Sequence, residues 1–204
     1  MNFLAHIFLS QNIDDLIVGN ILEDYLVGRI DHPRHDSISK NFKMGVQLHR
    51  IIDTFTDSHQ EIKYCKSLIS PKYGKYSGIL IDIYFDYFLV KNWDKYTSES
   101  LDFCCESAYC AFEKNYELLP NKMQLWVNAL LKYKWLNQYG TYEGIQRALN
   151  NMANIAGGKT KMEEGIVELK AFESELNASF IRFFPLLKLE CDIFIKSQGF
   201  ELVN

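Results

Sequence analysis

The sequence predicts an all-α fold: one single-domain helical bundle over 1–204. Three observations carry that prediction. Nearly every long segment spaces its apolar residues with helical rather than alternating periodicity. The separators between segments are short and carry Pro, Gly, Ser, Thr or Asn. The chain has 204 residues, of which 48% are hydrophobic and 14% aromatic, enough for one substantial core and too apolar for disorder.

The elements follow in order. A first helix is expected near 3–10 and a second over about 13–27, with Ser10 or Asn12 as a cap and Gly28 just past its end. "RIDHPRHDSIS" reads as a polar loop around Pro33, with His32, His35 and Asp36 on the surface. Helices follow at about 40–57, 60–69, 73–93, 99–117, 121–138, 142–155 and 160–197, the last with a possible break near Pro185. "SP" at 70–71, "YTSES", "LPN", "YGT" and "AGGKT" at 156–160 separate them. No strand pattern, internal repeat or low-complexity tract competes.

The formal net charge of -4 and pI near 5.7 argue against a general nucleic-acid binder, which usually presents a basic face. No run of about 18 uncharged apolar residues predicts a membrane helix. The apolar start lacks a basic region and contains His6, so it reads poorly as a signal peptide. Five cysteines without a C-x-x-C pattern fit reduced thiols in a cytoplasmic protein.

Chemistry concentrates in three helices. In "VQLHRIIDTFTDSH", His49 and Asp53 stand four apart, about 40° apart around the axis, and Asp57 extends the row. In "ILIDIYFDYFLVKNW", Asp82 and Asp86 share one face of a helix apolar nearly all round. Buried carboxylates are costly unless paired, hydrogen-bonded or bound to a cation, and two on one face also repel. In "GNILEDYLVG", Asn20 and Asp24 repeat the spacing, and His6 precedes them. Such pairs let several helices contribute ligands to one ion. Imidazole with several carboxylates suits Mn²⁺ or Mg²⁺, with Fe²⁺ also compatible, better than structural zinc. No G-x-S-x-G, P-loop or G-x-G-x-x-G is present, and "AGGK" reads as a helix-terminating turn.

The segments "MNFLAHIFLS", "VGNILEDYLVG", "VQLHRIIDTFTDSH" and "ILIDIYFDYFLVKNW", in this order, resemble the acyl carrier protein phosphodiesterases. "WLNQYGTYEGIQRALNNMA" and "FESELNASFIRFFPLL" extend the likeness over almost the whole chain. The resemblance implies a helical fold distantly related to HD-type phosphohydrolases. It implies Mn²⁺- or Mg²⁺-dependent hydrolysis of the phosphodiester that joins 4′-phosphopantetheine to a serine of holo-acyl carrier protein. In that reading Asp24, His49, Asp53, Asp82 and Asp86 ligate the metal. Asp24, His49, Asp53, Arg50 and His6 act in catalysis, with Asp24 essential and Arg50 pairing with a phosphate oxygen. Asn20, Arg50, Asp57, Lys72 and Lys75 meet the substrate, and Lys40 and Lys43 add positive charge toward the acidic carrier. Family members often read Asp-His where this chain has Asp86-Tyr87. The alternatives are a metal-dependent phosphohydrolase of another small phosphodiester or nucleotide, and an inactive helical binding protein on the same scaffold. Oligomeric state is left open.

Overall fold

Gly19 and Gly45 set the central helix pair. In the computed structural model, which describes residues 1–158 and 160–200, a Cβ on Gly19 would meet the Phe42 carbonyl oxygen at 2.2 Å. One on Gly45 would meet the backbone of Leu16, Gly19 and Asn20 at 2.7 Å. Only hydrogen fits at both positions, so α2 (Asp14–Leu22) and α3 (Lys40–Ser58) pack backbone to backbone. Asn20 is thereby brought against His49.

Around this pair run α1 (Phe3–Phe8), α4 (Gln60–Tyr73), α5 (Ser77–Lys91), α6 (Leu101–Lys114), α7 (Asn121–Tyr133), α8 (Tyr142–Ile155), α9 (Ile166–Ala171) and α10 (Glu173–Ser197). No strand occurs among the described residues. One continuous core joins α5 to α1, α4, α6, α8 and α10. Its aromatic centre is Phe85, Phe88, Phe180, Phe183 and Phe184, with ring centroids 5.0–6.3 Å apart. The all-α expectation holds, and no helix among the described residues is long and apolar enough to cross a membrane. All five cysteines are free, and only Cys110 is exposed.

Several boundaries differ from those read in the sequence. α2 stops at Leu22 and gives way to a 3-10 turn, Glu23–Tyr25. α4 continues through Pro71 to Tyr73, because Ser67, whose carbonyl Pro71 leaves unbonded, is exposed to water. α7 ends at Tyr133, where Lys134 adopts the left-handed region at φ 44°. The long C-terminal helix is broken at Phe172 rather than Pro185. Pro185 and Ile181 both face solvent, so the lost hydrogen bond is replaced by water. His35, expected on the surface, is buried, with Nε2 3.2 Å from the Val27 carbonyl oxygen. Lys159 of the 156–160 turn and residues 201–204 of the 1–204 domain lie outside the described residues.

Candidate functional site

Asn20 is the pivot of the site. It is fully buried, and all its polar groups are used. Its side-chain oxygen accepts from His6 Nδ1 at 2.7 Å. Its amide nitrogen donates to the His6 carbonyl and to Ser10 Oγ, both at 3.0 Å. Its backbone carbonyl accepts from His49 Nδ1 at 2.8 Å. Because both acceptors are carbonyl oxygens, both imidazoles donate from Nδ1, and in the neutral ring the lone pair lies on Nε2. Orienting a ligating histidine through its other ring nitrogen is the usual outer-shell arrangement at metal sites.

Those two Nε2 atoms converge. The rings lie side by side, 4.3 Å between centroids. His49 Nε2 is 3.0 Å from one Asp53 oxygen and 3.8 Å from Asp24, and His6 Nε2 is 3.5 Å from the other Asp53 oxygen. His6, His49 and Asp53 form one group able to hold a metal ion, and Glu23, Asp24 and His49 form another that shares His49. α1 supplies His6, α3 supplies His49 and Asp53, and the turn after α2 supplies Asp24. Both histidines are buried while the carboxylates are half exposed, so imidazole nitrogens form the floor and acids the rim.

The electrostatics agree with that layout. Burial pushes the His6 pKa below its ordinary value, more than Asp53 raises it, which keeps the imidazole neutral. Burial also acts downward on His49, but Asp53, Asp24 and Glu23 together outweigh it and raise its pKa. Asp53 is held well below the usual carboxylate range: burial opposes this, but the His49 and His6 imidazoles beside it prevail. Asp24 is raised, chiefly by burial.

A cavity of about 310 Å³ opens over the cluster, walled by His6, Asp24, His49, Asp53, Asp57 and Asp82, with Thr56 and Met152 beside them. Asp57 reaches this wall but pairs with Lys66 at 3.1 Å. Asp82 stands at the rim, 3.0 Å from the Met1 amino group. The structure does not bring Asp86 into the cluster. Its carboxylate is fully buried and accepts from the backbone N–H of Leu4 at 2.9 Å and Ala5 at 3.1 Å, capping the start of α1. Asn20, expected to meet substrate, lies beneath the imidazoles and holds them instead. Arg50 is drawn to Glu23 at 2.9 Å and lies outside the cavity wall. Lys72 is bound by Glu164 and Glu168 at 3.0 and 2.9 Å, and neither it nor Lys75 lines the cavity. Tyr87 also lies away from it, donating to Glu173 at 2.9 Å and stacked on Tyr142.

Thr56 was not singled out in the sequence. Its hydroxyl is buried beside the cluster without a hydrogen-bond partner. Position 56 lies seven residues, two turns, from His49, so the helical row already pointed to it. Phe3 and Met152 lie within two of the segments that carry the family resemblance, but nothing in their spacing marks them as cavity residues.

The chain belongs to the acyl carrier protein phosphodiesterase family, whose family model matches residues 1–187. It is similar to the acyl carrier protein phosphodiesterase of Yersinia enterocolitica, at 29% identity over 188 residues, covering 92% of this chain and 95% of the relative. The enzymes of Photorhabdus laumondii (28%, 92% of this chain and 93% of the relative) and Klebsiella pneumoniae (29%, 91% and 94%) are similar to the same extent. No solved structure matches the chain, and the expected distant relation to HD-type phosphohydrolases finds no support in the comparisons.

Proposed function

We propose that this chain is a metal-dependent hydrolase of holo-acyl carrier protein, cleaving the phosphodiester between 4′-phosphopantetheine and the carrier's serine. Family membership supports the substrate. The observation that carries the chemistry is the pair of Nε2 lone pairs fixed by Asn20 and facing Asp53 and Asp24. These four side chains would hold a divalent cation, Mn²⁺ or Mg²⁺ by the resemblance. Two imidazoles with two carboxylates fit Mn²⁺ or Fe²⁺ more closely than Mg²⁺, which prefers oxygen ligands. When bound, the cation supplies Lewis-acid polarisation of the phosphoryl group and a water made acidic enough to attack it.

The protein's own part is positioning. His6, kept neutral by burial, offers a lone pair rather than a proton, so it serves as a ligand and not as the general acid. His49 would ligate through the same ring nitrogen once its proton is displaced by the cation. Asp24 and Asp53 balance cationic charge while leaving the mouth of the cavity open to a diester. The Thr56 hydroxyl, lacking a protein partner, is free to donate to a phosphoryl oxygen or to water. The serine oxygen leaves with a proton taken from solvent at the half-open rim, giving the apo carrier and free 4′-phosphopantetheine. Of the lysines expected to meet the acidic carrier, Lys72 is occupied. Lys40, Lys43 and Lys75 form no salt bridge among the described residues and remain for docking.

The test is intact-mass analysis of holo-acyl carrier protein incubated with the purified chain. Loss of the phosphopantetheine mass is expected with Mn²⁺ or Mg²⁺ and not with EDTA. Full conversion by rigorously metal-free protein would refute the metal-dependent chemistry, and no conversion with any divalent ion would refute the substrate.

A further inference from the structure

A second cavity adjoins the first. It encloses about 690 Å³, within the range of small-molecule sites, and shares Phe3 and Met152 with the wall of the metal cavity. Tyr25, which follows the proposed ligand Asp24 in sequence, lies on its wall, as does Tyr139, whose hydroxyl accepts from Asn2 of the first cavity at 2.9 Å. The two cavities are therefore neighbours across a partition of two side chains.

Their chemistry differs. The first is carboxylate and imidazole. The second is mainly apolar, with Trp126 and Trp135 packed edge to face, 5.9 Å between centroids, and Arg147 and Asn151 on the α8 side. Trp126 is only partly buried, and Tyr133 at the edge is 60% exposed, so a large aromatic surface stays open to a ligand. None of this wall is needed to hold or activate a phosphodiester.

We infer that this second cavity is a subsite for the pantetheine arm of the substrate, an inference that rests on the function proposed above. The arm is amphipathic: a gem-dimethyl group and methylenes alternate with two amides, ending in a thiol. Apolar carbon matches the indole faces, and the amides match Arg147 and Asn151. The arm joins the scissile group directly through the phosphate. A diester seated over His6, His49, Asp24 and Asp53 therefore places the start of the arm at the Phe3–Met152 partition and the rest beyond it. The carrier protein, on the opposite ester, is left at the open rim. Such a subsite favours phosphopantetheinyl diesters over shorter ones, because binding energy gained away from the phosphorus goes only to substrates that carry the arm.

The test uses Ala129→Trp on α7 and Ala148→Trp on α8, both partly buried small residues on the wall, so an indole at either fills the cavity without entering the core. Free pantetheine, which has no phosphate, is titrated into the full chain by calorimetry. Saturable binding to the unaltered protein is expected, weakened at least tenfold in both variants. The ratio of kcat/KM for holo-acyl carrier protein to that for a short aryl phosphodiester should fall at least tenfold in parallel. Absence of pantetheine binding, or equal binding by the variants, would overturn the subsite. A protein that binds pantetheine in this manner but leaves holo-carrier intact would keep the subsite and overturn the proposed reaction. If one variant does not fold, the other decides.

Discussion

The helices α3 and α5 each carry acidic or imidazole side chains four residues apart, and the two pairs end in opposite environments. On α3, His49 and Asp53 face the open cavity, and Asp53 is held ionised by two imidazoles. On α5, Asp82 reaches the rim of that cavity, while Asp86, one turn on, sinks into the core. There burial raises its pKa from the ordinary 3.8 to about 7, although the N–H groups of Leu4 and Ala5 pull the other way. The spacing i, i+4 places two side chains on one face but does not say what that face meets. On α3 both see the cavity; on α5 the first residues of α1 cover the second acid.

The contrast can be broken most forcefully at the α3 end. Asp53→Ala and Asp24→Ala should each lower holo-carrier hydrolysis by about 10³-fold or more, since they remove the oxygens that would hold the proposed cation. Helix content by circular dichroism should be unchanged, because half-exposed acids contribute little to folding. A near-normal rate in either variant would remove that residue from the centre.

At the α5 end the effect should fall on stability. Asp86→Ala leaves the buried N–H groups of Leu4 and Ala5 without an acceptor, at a cost of about 2–4 kcal/mol in urea denaturation with an unchanged m-value. The pH dependence sharpens the point. Asp86 titrates near 7 when folded and near 3.8 when unfolded, so between these values the folded chain binds more protons and stability falls as pH rises. Asp86→Asn cannot ionise, and the difference between its stability–pH curve and the parent's should show that decline between pH 4 and 7. Asp53 has the opposite sign: its contribution is present above the unfolded pKa and is lost only as pH falls below about 4. A parent and variant with parallel curves would show that Asp86 does not titrate in this window.

The smallest effect is expected at Thr56. Replacing its unpartnered buried hydroxyl by a methyl group in Thr56→Val should stabilise the EDTA-treated protein by up to about 1 kcal/mol. The same substitution should lower kcat if the hydroxyl serves the phosphoryl group. A loss of stability would mean that the hydroxyl has a partner in the folded protein.

These helices also mark how far the sequence can be read. Apolar periodicity located α3 to within one residue and put His49, Asp53 and Asp57 on one row, because both depend only on local geometry. His6 and Asp24 were legible as parts of a motif, and the structure brings them to the same centre. Asp86 was not legible as a cap, since its partners lie 81 and 82 residues away. The family resemblance implies that Asn20 meets substrate; its place on a helix face looks alike whether it faces solvent or two imidazoles, so spacing alone does not correct that reading. Arg50 and Lys72 looked free for phosphate or carrier, but distant glutamates claim them. Gly19 and Gly45, whose missing side chains let Asn20 meet His49, leave no periodic signal. The second cavity joins α7 and α8 to the N-terminal motifs, a juxtaposition made only by the tertiary fold.

The cap on α1 has a consequence in time. A helix of six residues is too short to persist alone, and its first amides would ordinarily open and exchange with solvent within the fastest class of motions. Held by a carboxylate from the middle of α5, the Leu4 and Ala5 amides can be released only when α1 separates from the core. In deuterium they should therefore exchange among the slowest in the chain. Their opening rate then sets how often His6 leaves the centre, so the lifetime of the proposed ion would depend on the Asp86 contact as well as on the side chains that would hold it.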